Sequence, residues 1–145
     1  MEKFKTKSAY LPAIIWMIVI FYFSHQSASQ SSNLSGGVLG YIIDVIKNSL
    51  NIAINEDLLH TVIRKGAHFT EYFILAVFVM FGLKRNNVSN PFFKSIIICA
   101  LYAMTDEFHQ LFVAGRSGRV FEVMVDTSGA AFGTFVYSKI KRTNK

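Results

Sequence analysis

His68 and Glu71 stand three residues apart in the run RKGAHFTEYF, residues 64–73, and Arg64 precedes His68 by four; on a helix each pair shares a face. An imidazole beside a carboxylate can move protons near neutral pH. The same residue types recur twice downstream. The run TDEFHQLF, residues 105–112, places Asp106 within helical reach of both His109 and Gln110, with Glu107 between them. After GRSGR, Glu122 and Asp126 are four apart and share a face. Four cations border these groups: Arg64, Lys65, Arg116 and Arg119. Arginine offers a planar fork of donors matched to phosphate or carboxylate.

Three chemistries fit such a set. In recognition, Arg64, Lys65, Arg116 and Arg119 form a cationic rim for an anionic head group. Glu71, Asp106 and Asp126 then hold the arginines or accept N–H and O–H groups of the ligand, and His68 orients the network. Glu107, Gln110 and Glu122 complete the binding set. In catalysis, His68 with Glu71 or Asp106 acts as acid and base on a lipid-linked substrate. A metal variant would draw ligands from His68, Glu71, Asp106 and His109. That set lacks a recognised spacing such as H-E-x-x-H, so no metal and no other cofactor is predicted. No serine or cysteine sits in a nucleophile elbow. The plainest alternative is an ion-pair network that staples helices together, with His25, His60, His109 and Gln110 as ordinary interfacial residues.

The elements that carry these groups are apolar. The 145-residue chain is 52% hydrophobic and 14% aromatic, with fourteen Phe, and its mean hydropathy is +0.36. That is membrane composition. Net charge +6 raises the question of nucleic acid, but the cations lie in small groups beside apolar runs, as in loops flanking membrane spans. No nucleic-acid partner is predicted. Cys99 is the single cysteine, so no disulfide forms within the chain.

Spans of about 20 residues are needed to cross roughly 30 Å of hydrocarbon. Four runs qualify, at about 8–24, 64–83, 92–112 and 120–138. The predicted fold is therefore all-α, a polytopic four-helix transmembrane bundle forming one domain. A signal peptide is the rival reading of the first run, since Lys3, Lys5 and Lys7 precede it and SASQ follows. Its length, and Gln26 near any cleavage after Ala28, favour a retained helix. Within the long connection 25–55, the apolar spacing of Val38, Leu39, Ile42, Ile43, Ile46 and Leu50 predicts a short amphipathic helix in the outer interface. Asn55 before Glu56 and Asp57 reads as a helix start, and Asn90 before Pro91 as another cap. Gly66 marks either a backbone break near a ligand or plain packing. Gly129 and Gly133 form a G-x-x-x-G ridge for packing within the chain.

Alternating spans put ten cations on one side: Lys3, Lys5, Lys7, Lys84, Arg85, Lys94, Lys139, Lys141, Arg142 and Lys145. The other five, Lys47, Arg64, Lys65, Arg116 and Arg119, face the opposite side, so both termini are expected in the cytoplasm. The second, third and fourth helices then bring their ionisable groups to one depth in the outer leaflet. Each such group costs at least about 2.5–3.5 kcal/mol in a membrane and usually faces a bundle interior or wet cavity. One shared polar pocket satisfies all of them.

In this order the residues resemble the VanZ-like family of small bacterial membrane proteins, named for a protein associated with resistance to teicoplanin-type glycopeptides. The resemblance runs from Phe23-Ser24-His25-Gln26 through residues 64–72, 106–112 and Gly115-Arg116 to Asp126-Thr127-Ser128-Gly129 and Gly133. Ala114 stands where the family usually has proline, and Glu122 where aspartate is common. The resemblance implies a multi-pass protein of the bacterial cell membrane and an antibiotic phenotype, without fixing a reaction. The partners expected from the recognition reading are membrane lipids and a lipid-linked cell-wall precursor.

Overall fold

The computed structural model describes residues 8–26 and 56–143. The expected interfacial helix and the Asn55 cap lie outside the described residues. A 3-10 turn, Ser8–Tyr10, leads into α1, Leu11–Ser24, with Pro12 harmless in the first turn. Then follow α2, Glu56–Arg85, α3, Pro91–Gln110, and α4, Val120–Thr143. All elements among the described residues are helical.

α2 starts at Glu56, where the Asn55-Glu56-Asp57 reading puts a helix start, and Lys84 and Arg85 complement its C-terminal dipole. Two helix ends differ from expectation. α3 closes at Gln110: the Leu111 and Phe112 amides bond to the Phe108 and His109 carbonyls, tightening the chain into a turn. α4 runs on to Thr143. Asn90 does not cap with its side chain. It is left-handed at φ 51°, so Asn90 turns the chain and Pro91, with its fixed φ, begins the helix.

Contacts fix an up-down-up-down bundle in which α2 and α4 run parallel. Gly129 and Gly133 lie against the backbone of Phe69 and Phe73, and a Cβ on either glycine would strike a carbonyl oxygen. The G-x-x-x-G ridge is thus used within the chain, pressing α4 onto α2. Gly66 has open space where a Cβ would stand, and α2 passes through it without a break. α1 is anchored by side chains to backbone: Trp16 Nε1 donates to the Glu71 carbonyl at 2.9 Å, and the Tyr102 hydroxyl to that of Met17 at 2.6 Å. Tyr72, Leu75, Ala76, Val79, Cys99, Ala103 and Ala130 form the core. A polar layer crosses it, with Thr134 Oγ1 3.2 Å from Ser95 Oγ, which reaches the Ala76 carbonyl at 3.3 Å.

The surface inverts the usual arrangement. Ile14, Ile18 and Tyr22 on α1, Phe93, Ile97, Leu101 and Phe108 on α3, and Phe121, Met124, Phe132 and Phe135 on α4 are exposed. Ser95, Asp106, Glu107, Gln110, Glu122, Asp126 and Thr134 are buried. An exterior of large apolar side chains over a polar interior is unfavourable in water and matched to lipid. By length and composition, only Thr61–Arg85 among the described residues is apolar enough to cross a membrane; Ser8–Ser24 is apolar but shorter. α3 and α4 fall short because the groups they bury are charged or polar, which lowers their average hydropathy while their outward faces stay apolar.

Candidate functional site

The end of α1, residues 64–72 of α2, the end of α3 and the start of α4 meet at one end of the bundle. Because α2 and α4 are parallel, residues four apart on one pair off with residues four apart on the other. Arg64 Nη2 lies 2.9 Å from Glu122 Oε1, and His68 Nδ1 lies 3.3 Å from Asp126 Oδ1. The second contact is a close approach without hydrogen-bond alignment. α3 adds Asp106, whose Oδ2 accepts from Gln110 Nε2 at 3.2 Å, and Glu107, whose Oε2 accepts the Arg119 backbone N–H at 2.8 Å. Glu71 is half-buried beside them and feels both His68 and Asp126.

The loop between α3 and α4 is held tightly. Gly115 takes φ 76°, a conformation glycine adopts without steric cost, and a Cβ on Gly118 would strike the Glu107 carbonyl. Arg116 is half-buried and turns onto the end of α1. Its Nε donates to the Gln26 carbonyl at 2.9 Å and its Nη2 to that of Phe23 at 3.2 Å, closing the C-terminal end of α1. Burial pulls the Arg116 guanidinium below its ordinary pKa, and the Asp106 carboxylate draws it back up. Arg64 and Arg119 remain exposed, Arg119 reaching Ser117 Oγ at 3.1 Å, while Lys65 lies half-buried over the Phe121 ring at 4.4 Å.

Several polar atoms here are buried without a hydrogen-bond partner: Asp106 Oδ1, Glu107 Oε1, Glu122 Oε2, both oxygens of Asp126, and the Tyr72 hydroxyl. His109 stands apart from His68. Its Nε2 meets His25 Nδ1 at 3.1 Å, the two rings stack, and Phe21 covers His109. The ligand types within reach of one ion are instead His68, Glu107 and Asp126, one from each of α2, α3 and α4. Tyr72 and the His25 ring were not singled out by spacing. Tyr72 lies one residue after Glu71, and only the helix crossing turns it toward the carboxylates. An open apolar groove of about 400 Å³ lies elsewhere, between α1 and Phe78, and contains none of these groups.

A helical bundle with an apolar exterior and a cluster of buried ionisable groups defines the class, a small membrane-associated protein. Residues 9–142 match the family model described as VanZ/LLP1, so the chain belongs to that family. No curated protein and no solved structure matches it.

Proposed function

We propose that the chain is a multi-pass protein of the bacterial cell membrane, its four helices crossing with both termini cytoplasmic. In this reading its polar end binds, at the outer leaflet, the phosphate-bearing head group of a lipid or lipid-linked cell-wall precursor. The supporting observation is the contrast at that end: the guanidiniums of Arg64 and Arg119 stay exposed beside buried carboxylates, on a bundle whose helices turn large apolar side chains outward. Arginine forks at a lipid-facing boundary are suited to phosphate, while the acids beneath accept sugar or peptide donors. Shielding such a head group would alter envelope sensitivity to teicoplanin-type glycopeptides, in keeping with the family resemblance.

Native mass spectrometry of the detergent-purified chain tests this, with phosphatidylglycerol, a polyprenyl-diphosphate-linked precursor and phosphatidylcholine as separate probes. Retention of an anionic probe, lost in the double variant Arg64→Ala, Arg119→Ala, is expected, and the two anionic arms distinguish the source of the phosphate. Equal retention of phosphatidylcholine, or retention unchanged in the double variant, would overturn it. A change in the mass of a retained probe would instead mark an enzyme.

A further inference from the structure

We infer that His68, Glu107 and Asp126 form a binding site for one divalent transition-metal ion, which ties α2, α3 and α4 together at their polar end. One ligand atom from each residue lies within 4.8 Å of the others. Ligands at about 2.1 Å from a tetrahedral ion stand roughly 3.4 Å apart, so an ion would need to draw this set in by only a side-chain adjustment. His68 and Asp126 are already 3.3 Å apart.

Both carboxylates keep buried oxygens without a hydrogen-bond partner. Asp126 is 0% exposed and neither of its oxygens accepts a hydrogen bond. Glu107 is 4% exposed; its Oε2 is fixed by the Arg119 N–H, and its Oε1 has no partner. That is the arrangement of a ligand oriented by an outer hydrogen bond. Nearby cations are engaged elsewhere, Arg64 by Glu122 and Arg116 by the carbonyls of α1. Unpaired buried carboxylates are costly, and a bound cation is one of the few ways to compensate them. The imidazole sets the class: one nitrogen with two carboxylates favours Zn²⁺ or Mn²⁺ over Mg²⁺ or Ca²⁺.

The head-group reading draws on the same buried acids, so the ion is tested without lipid and the two readings can fail separately. The full chain, purified in detergent without added lipid and stripped with a chelator, is titrated separately with Zn²⁺, Mn²⁺ and Mg²⁺, and bound metal per chain is measured. One Zn²⁺ or Mn²⁺ per chain is expected, with Mg²⁺ much weaker. His68→Ala, Glu107→Gln and Asp126→Asn should each weaken binding by more than about tenfold. Because these variants could disturb folding, helicity is followed by circular dichroism, and Co²⁺ serves as a spectroscopic probe whose visible bands should shift when the His68 nitrogen is removed. A folded chain that binds no Zn²⁺ or Mn²⁺ at micromolar concentration overturns the proposal. So does an ion that survives Asp126→Asn and His68→Ala but is lost in His25→Ala, which would place it at the stacked histidine pair.

Discussion

Arg64 on α2 and Glu122 on α4 meet at 2.9 Å across parallel helices, with the arginine side chain 56% exposed and the glutamate side chain only 6%. The pair is therefore unequal. Removing the arginine leaves a buried carboxylate without its donor, whereas neutralising the glutamate leaves a guanidinium that solvent can reach. Arg64→Ala is expected to lower stability by about 1–3 kcal/mol, and Glu122→Gln by no more than about 1 kcal/mol. Thermal unfolding in detergent checks the order; equal losses would show that the burial difference has no energetic consequence.

Gly66 on α2 and Gly129 on α4 should respond in opposite directions. Gly129→Ala drives a methyl group into the Phe69 carbonyl, backbone that cannot swing aside, and is expected to cost about 1–3 kcal/mol. Gly66→Ala meets nothing within 4 Å and replaces a helix-interior glycine, so it should stabilise by up to about 1 kcal/mol. The same unfolding assay reads both. A destabilising Gly66→Ala would mean that Gly66 approaches something other than the described residues.

Arg116 closes α1 through two backbone carbonyls separated by the fork of its guanidinium. Lysine carries the charge but not the fork. Arg116→Lys is therefore expected to behave nearly as Arg116→Ala, both loosening the end of α1. Hydrogen exchange at residues 21–26 should rise in both variants, and full rescue by lysine would show that charge alone suffices.

Much of this was legible in the sequence. Four helices and their order followed from run length, and the face-sharing of Arg64 with His68 and of Glu122 with Asp126 followed from helical spacing. Because α2 and α4 run parallel, those two spacings match each other rung by rung. Helix ends were less legible: Asn90 stands at the N-cap position with Pro91 first in the helix, as read, but its side chain makes no capping bond, and α3 yields Leu111 and Phe112 to a turn. Spacing along one helix also could not say which partner each group finds across helices. His109 shares a run with Asp106 but turns to His25, while Glu107, its neighbour on a different face, turns to His68 and Asp126. Spacing also could not show that the half-buried Arg116 guanidinium turns to the Phe23 and Gln26 carbonyls at the end of α1.

An outward-facing polar site built by three helices requires the loop 111–119 to lie outside the cytoplasm, and the chain offers a clean reporter. Its single cysteine, Cys99, is buried, so Ser117→Cys in a Cys99→Ala background puts one exposed thiol beside Arg116 and Arg119. A membrane-impermeant maleimide is expected to label it fully in intact cells. Labelling that occurs only after permeabilisation would place the loop in the cytosol and contradict a site that meets ligands at the outer leaflet.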